Sequence, residues 1–465
     1  MLFREALQKV PGFREIMDRC LKIQSPVGVR RLYAAPFMAS QAELEAEFGR
    51  MKDIMARLSG GTMEGKIAGF GLGQLRDIKD ILERLRNDDI LNDIELFEIK
   101  NLAFLAGEVK REMEKYGLAV VDIPSLLPVV EMLDPEHSGI RHFYIYNTYS
   151  EELALVRAEI RNVTEREVEE ALRSKEKNLE EAIRSSLSCQ LQTYEKELSC
   201  ALEGLGQLDV LLAKTRFAVD FNLTCPVIAD DTIAYEGLWN ISVKRELERQ
   251  GLEYQRVDIR LGEEATVITG ANMSGKSLLL KSLLLAQYMA QFGFYVPAAK
   301  AGVALVDEVF ICTGDDQNEQ KGLSSYAAEM LKINEVVGSV KRGKKVLALI
   351  DEPARTTNPV EGVAIVNALV NFLTVRKVLG VLTTHYSGLE APCRRLRIKG
   401  FAENRVEGKL LPGNINRYID YSLEESDREQ VPQEALRIAA MLGVDRDLLE
   451  EAGCYLRKAD QSVRE

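Results

Sequence analysis

Residues 270–277 read Gly-Ala-Asn-Met-Ser-Gly-Lys-Ser, the full G-x-x-x-x-G-K-[ST] spacing of a phosphate-binding loop. The chemistry follows from the residue types. Backbone N–H groups of a glycine-rich loop can turn inward around phosphate oxygens, and a following helix N-terminus adds partial positive charge. Lys276 is the side chain that reaches the β- and γ-phosphates, and the Ser277 hydroxyl is an oxygen ligand for Mg²⁺. Gly270, Asn272, Met273, Gly275 and Leu278 complete the expected nucleotide contacts. A glycine-rich turn carrying a chance lysine is the competing reading. The flanks decide against it: the β-branched run Ala265–Thr269 precedes the loop, and the leucine-rich run Leu278–Leu285 follows it as a helix would. The chain is expected to bind a nucleoside triphosphate, ATP, with Mg²⁺.

Three further groups have chemistry to offer. Lys345–Ile350 is an apolar strand that ends in Asp351 and Glu352. Downstream of a phosphate loop, such a strand end meets the metal through Asp351 and polarises the attacking water through Glu352. Val378–Leu382 is a second apolar strand, and His385 beyond its end can contact the γ-phosphate or orient water. Ser324 and Ser325 open a helix that continues through Glu329. Two hydroxyls at a helix N-terminus suit an anion, although a simple helix cap explains them equally well.

The elements that must position these groups divide the chain. From about residue 226 to 425, strand and helix patterns alternate, the mark of a mostly parallel sheet covered by helices. Expected strands are 265–269, 303–310, 345–350 and 379–384, and the basic cluster Arg394, Arg395, Arg397 and Lys399 reads as a solvated loop. Residues 1–149 are dominated by helical spacing, with one alternating aromatic stretch, Arg141–Asn147, expected as a short strand. Residues 150–225 form a long charged helical lever returning to this helical part. As one rod, residues 150–217 would reach about 100 Å; as a hairpin, the turn falls either near residue 162, where Thr164 and Glu167 have capping-box spacing, or at Ser185–Ser188. The tail, 426–465, reads as helix-turn-helix, with helices Gln433–Leu442 and Arg446–Leu456 joined at Gly443.

Bulk properties set limits. The 465 residues allow two or three domains, and the formal net charge of −12 argues against a protein that wraps nucleic acid along its whole length. Seven scattered cysteines without a C-x-x-C pair, three scattered histidines and no apolar run of membrane-spanning length lead to an expectation of a cytoplasmic protein with no membrane partner.

The phosphate loop, with Asn272-Met273 between its glycines, resembles that of the MutS family. In the same order follow Ser324–Glu329, similar to that family's Ser-Thr-Phe-x-x-Glu signature, then Asp351-Glu352, then Thr384-His385-Tyr386, and Ala439–Leu449 in the tail. Ser25–Leu32 and Ile94–Lys100 resemble core segments of the family and Leu205–Leu212 the end of its lever helix, so the likeness covers nearly the whole chain. It implies an ABC-type P-loop ATPase domain joined to an all-α core with a helical lever. It also implies a homodimer, or a heterodimer with another MutS-like subunit, in which Ser324 touches the γ-phosphate held by the other subunit. Arg355–Glu361 falls where the family places a dimer-facing loop.

The departures guide the functional expectation. The stretch 150–217 is expected to leave no room for a DNA-encircling clamp, and neither a mismatch-reading domain before the core nor a nuclease-like domain after the tail is expected. The loop ends Lys276-Ser277-Leu278 where the family has Lys-Ser-Thr. This build resembles a branch of MutS-like ATPases that serves as the reactivase of adenosylcobalamin-dependent aminomutases, typified by lysine 5,6-aminomutase. The first expectation is therefore an ATPase that opens such a mutase so that damaged cobalamin is exchanged. The alternative is a DNA-binding MutS-like ATPase acting on branched or mismatched DNA in repair or recombination.

Overall fold

In the computed structural model the described residues are all of 1–465 except 61, 272–273, 314–324, 402–418, 427–435, 437–438, 441–442 and 463–465. The chain separates into two units. One comprises residues 1–4, 18–36 and 46–220; the other comprises 5–17, 37–45 and 221–465.

The first unit is helical. α1 (Phe3–Lys9), α2 (Phe13–Cys20) and α4 (Gln41–Arg57) contribute only in part, whereas α3 (Pro26–Tyr33), α5 (Met63–Ala68), α6 (Lys79–Arg86), α7 (Asp93–Tyr116), α8 (Leu127–Leu133), α9 (Glu151–Asn162), α10 (Arg166–Gln192) and α11 (Glu195–Asp220) lie wholly within it. α7 is the best-signalled helix. Asn92 and Glu95 form a reciprocal capping box at its start, and Gly117 closes it in the left-handed conformation. α3 is held against α11 through Asp209, whose carboxylate accepts from the Gln24 N–H at 3.0 Å, the Ser25 N–H at 2.7 Å and the Ser25 hydroxyl at 2.5 Å. Burial pushes the Asp209 carboxyl up from its ordinary range, against these three donors.

The lever is a hairpin rather than a rod. Only residues 163–165 separate α9 from α10, and α10 folds back on α9. Arg157 ties the two together, reaching Glu176 at 2.8 Å and Glu180 at 2.7 Å. The turn thus lies near the first of the two expected places, although the Glu165 cap makes no side-chain capping bond. Ser185–Ser188 runs straight through the middle of α10, because the Ser188 hydroxyl accepts from the Leu91 N–H at 2.9 Å instead of breaking its own helix. A second interruption, at 193–194, separates α10 from α11. Arg141–Asn147 is not a strand: among the described residues it pairs with none, and Asn147 opens a 3-10 turn.

The second unit carries two sheets. The smaller has the order β1 (Val227–Ala229), β5 (Lys300–Ala304), β2 (Ile233–Leu238), β3 (Val257–Leu261) and was not foreseen. The larger has the order β10 (Ile419–Glu425), β9 (Arg394–Phe401), β4 (Thr266–Thr269), β8 (Leu379–Thr384), β7 (Val346–Asp351), β6 (Glu308–Cys312). All its pairings are parallel except the edge pair β10–β9. Two sequence expectations need correction here. The span 303–310 is split between the sheets, with Asp307 at the break pairing both ways with Lys345 through main-chain and carboxylate bonds. The basic cluster at 394–399 is a strand, not a loop: Leu396 and Ile398 alternate into the interior while Arg394 pairs with Glu425.

The helices of this unit are α12 (Ile241–Arg249), α13 (Lys276–Gln291), α14 (Ser325–Lys341), α15 (Pro359–Val375) and α16 (Arg446–Ser462). α14 and α15 bring Ile333, Val336, Val366, Leu369, Val370 and Leu373 onto the sheet face that shows Val267, Val346, Ala348, Ile350 and Leu382. α13 packs on β6, β7 and β8 and is buried nearly all round. Each such aliphatic side chain stabilises by roughly 1.5–3 kcal/mol on full burial. Residues 5–17 and 37–45 belong with this unit although they lie within the stretch read as helical core. Phe13 and Phe37 explain it: their rings sit 5.3–6.3 Å from those of Tyr288 and Phe292 at the end of α13. Of the expected tail helices, the second is α16, and most of Gln433–Leu442 lies outside the described residues. No helix among the described residues is long and apolar enough to cross a membrane.

Candidate functional site

β4 delivers the chain to the C-terminal edge of the sheet at Thr269, and α13 leaves from Lys276; residues 270–275 are the turn between them. Gly275 makes this turn with φ +88°, a left-handed conformation that side chains disfavour. Its missing Cβ also matters, since a Cβ there would lie 3.0 Å from the Tyr421 ring. Lys276 is buried, and its ammonium donates to the carbonyls of Gly270 at 2.8 Å and Ala271 at 3.0 Å. The Ser274 hydroxyl is buried in the same loop and has no hydrogen-bond partner. Asn272 and Met273 lie outside the described residues.

Strand order brings the other groups alongside. β8 is the neighbour of β4 with Thr384 opposite Thr269, and β7 is the neighbour of β8 with Asp351 opposite Thr383. Gly270, His385 and Glu352 therefore leave three adjacent strands at one edge, where α/β sheets place their ligands. The Thr383 hydroxyl donates to Asp351 at 2.6 Å, and it accepts from the Glu352 N–H at 3.0 Å. The Glu352 carboxylate lies 3.4 Å from the Lys276 ammonium and 3.3 Å from the Arg355 guanidinium. Ser277 and His385 are exposed; the His385 ring lies 4.6 Å from that of Tyr386. Ser324 lies outside the described residues, and α14 begins directly after it.

The turn after β7 is strained. Glu352 has φ +47° and Ala354 φ +61°, and neither is glycine. Each such residue costs of order 1–3 kcal/mol and persists only where its surroundings over-determine it. Here they do. The Ala354 N–H donates to Glu329 of α14 at 2.7 Å, and the Tyr386 hydroxyl donates to the Ala354 carbonyl at 2.7 Å. Burial pushes the Glu329 carboxyl up.

A cavity of about 920 Å³ opens beside the loop, lined by Tyr254, Gln255, Ser274, Gly275, Leu278 and Tyr421 among others. Its walls mix apolar side chains and two tyrosines with polar groups, among them Gln250, Glu253 and Gln255. The Gln255 amide is fixed by donating to Asp420 at 2.7 Å and to the Ser422 hydroxyl at 3.0 Å, and it accepts from the Tyr421 N–H at 3.1 Å. Burial pushes the Tyr254 and Tyr421 phenols up. Sequence reasoning foresaw only Gly275 and Leu278 of this wall, because the rest comes from stretches far apart in the chain with no motif to join them. Of the sequence-predicted residues, the structure gathers Gly270, Gly275, Lys276, Ser277, Leu278, Asp351, Glu352 and His385 at one edge.

Residues fit for ATP and Mg²⁺ are thus present. A loop with an inward lysine and an unpartnered hydroxyl adjoins a cavity with two tyrosines in its wall. Ser277 and Asp351 supply the hard oxygen donors that Mg²⁺ takes.

Residues 266–456 match the family described as MutS domain V. Among curated proteins, the chain is similar to "Endonuclease MutS2" of Clostridium botulinum, 31% identical over 303 residues, or 56% of this chain and 37% of the relative. The protein of that name from Pelotomaculum thermopropionicum is 30% identical over 266 residues, covering 55% of this chain and 31% of the relative. The one from Finegoldia magna is 28% identical over 267 residues, covering 56% and 32%. The chain spans about a third of the length of these relatives.

Proposed function

We propose that the chain, whose residues 266–456 match the family described as MutS domain V, is an ATPase that uses ATP to change the state of a macromolecular partner, and that the partner is DNA. The observation that carries the ATPase reading is the edge where Lys276, Asp351, Glu352 and His385 converge from three adjacent strands. Lys276 gives up its carbonyl partners to meet the β- and γ-phosphates. Asp351, oriented by Thr383, and Ser277 would hold the metal, which when bound would offset the charge on the phosphates. Glu352 polarises the attacking water, and His385 orients it or contacts the γ-phosphate. The cavity walled by Tyr254 and Tyr421 takes the base. Ser324 completes the site of a second subunit in a dimer.

DNA as the partner is supported by the relatives, which carry the name endonuclease. These similarities lend no support to the first sequence expectation, the aminomutase reactivase. One observation still favours a protein partner as the second reading. The α9–α10 hairpin closes through residues 163–165 alone and carries charges of both signs, paired along its length, which makes a poor grip on a polyanion.

The test is the ATP hydrolysis rate with duplex DNA, branched DNA, or an adenosylcobalamin-dependent aminomutase holding inactivated cofactor, each added separately. Stimulation by DNA, with binding that weakens steeply with salt, supports the DNA reading. Stimulation by the mutase alone, with recovery of mutase activity, replaces it. Glu352→Gln is expected to bind ATP and fail to hydrolyse it; turnover near that of the parent protein would remove Glu352 from its role.

A further inference from the structure

The strained turn after β7 rests on two residues to which no chemical role has been assigned. Ala354 is fully buried with φ +61°. Its N–H is taken by Glu329, one turn into α14, and its carbonyl by the hydroxyl of Tyr386, the residue after His385. The Thr357 N–H also reaches that carbonyl, at 3.3 Å. Tyr386 is folded over by its own short-range bond, its N–H donating to the Thr384 hydroxyl at 3.0 Å. Its phenol tip occupies the space that a side chain at position 362 would need, so α15 can pass only because residue 362 is glycine. Ala354 lies two residues beyond Glu352, and Glu352 has a positive φ of its own. The direction of the Glu352 carboxylate therefore depends on the peptide that Glu329 and Tyr386 hold.

We propose that Glu329 and Tyr386 are positioning residues that clamp the Ala354 peptide from both sides and thereby aim Glu352 at the attacking water. The clamp rests on the reading of Glu352 as the hydrolytic carboxylate. It has a second consequence. Glu329 lies on the helix whose first residues border the site assigned to a second subunit's ATP, so a shift of α14 moves Glu352 in its own subunit.

Single-turnover and steady-state hydrolysis in the full chain test this, with ATP affinity measured separately. Tyr386→Phe and Glu329→Leu are each expected to lower kcat about 10- to 100-fold, the scale of one lost hydrogen bond to a buried or charged partner, while ATP affinity and KM stay within about twofold. Glu329→Gln retains an acceptor for the Ala354 N–H and is expected to recover most of what Glu329→Leu loses. Ala354→Gly added to Tyr386→Phe is expected to restore part of kcat, since glycine holds φ +61° without a clamp. A merely structural role predicts no such rescue. If Tyr386→Phe and Glu329→Leu fold and hydrolyse at the parental rate while Glu352→Gln is inactive, the clamp is wrong and the role of Glu352 stands. If Glu352→Gln is itself active, the underlying reading fails first. A fall in ATP affinity equal to the fall in kcat would also overturn the clamp.

Discussion

Two buried lysines show how differently the two units use the same side chain. Lys100, in α7 of the helical unit, is fully inaccessible. Its ammonium meets the Asp134 carboxylate at 3.1 Å, the Tyr146 hydroxyl at 3.0 Å and the His142 carbonyl at 2.9 Å. Lys276 is nearly as buried, but its close partners are two main-chain carbonyls of a glycine loop, and its one carboxylate stands off at 3.4 Å. The first ammonium has three donors and three good acceptors, so it has nothing left to offer a ligand. The second is held by neutral groups beside a cavity, and a phosphate would be a better partner than any it has. Burial of a cation does not by itself mark a site; the partner set does.

That contrast can be broken most forcefully at Lys100. Lys100→Met leaves Asp134 buried without its countercharge, which costs about 3–5 kcal/mol. Hydrogen exchange of the α7 amides reads this loss in the helical unit directly. Unchanged protection would mean that Lys100 is as dispensable to the fold as Lys276 is expected to be.

The opposite expectation holds for Lys276→Met. Stability without nucleotide is expected to change little, because the loop carbonyls it releases can turn to water. ATP affinity is expected to fall by about 1.5–3 kcal/mol, the worth of hydrogen bonds to charged groups, which isothermal calorimetry measures. The same variant also cuts the stabilisation that nucleotide lends, from about 2.7 kcal/mol at a hundredfold excess over the parental Kd to about 0.3–1.3 kcal/mol at that concentration. Lys100→Met should keep the full increment. A nucleotide-induced rise in melting temperature that is undiminished in Lys276→Met would contradict the phosphate-loop assignment.

These two lysines also mark what could and could not be read from sequence. Lys276 is legible because the chemistry around it is contiguous: one strand, one loop and one helix start in a single run of residues, with Asp351-Glu352 and Thr384-His385 each ending a continuous apolar strand. Lys100 looks like any helix-surface lysine, since its partners lie 34 to 46 residues away. The same non-locality hid the rest. Arg141–Asn147 alternates as a strand does and buries Phe143 and Ile145, yet side chains claim its carbonyls: Lys100 takes that of His142 and Arg157 that of Ile145. No ladder can then form. β9 looked like a solvated loop because four of its residues are basic, although Leu396 and Ile398 carried a weak period of two. The clamp on Ala354 joins three elements that only the sheet order brings together.

The finest distinction between the lysines is electrostatic. Burial works to raise the Asp134 carboxyl, but donation from the Ser138 hydroxyl, the Gly139 N–H and Lys100 outweighs it and brings the group down to about 2. In the unfolded chain an aspartate titrates near 3.9. A carboxyl depressed on folding contributes stability that is fully present above about pH 4 and is lost as pH falls through its folded value, because the unfolded chain takes up the proton first. The helical unit should therefore lose stability between about pH 4 and pH 2 partly through Asp134. Lys100→Met removes one of the three causes of the depression, so its folded carboxyl titrates higher and its stability falls less steeply over that interval. The measurement is unfolding free energy against pH for the parent protein, Lys100→Met and Asp134→Asn. The expected order of slopes is parent steepest, Lys100→Met intermediate and Asp134→Asn flattest. Equal slopes for the first two would mean that Ser138 and Gly139 alone set the carboxyl, leaving the Lys100 ammonium a packing group whose charge Asp134 does not feel.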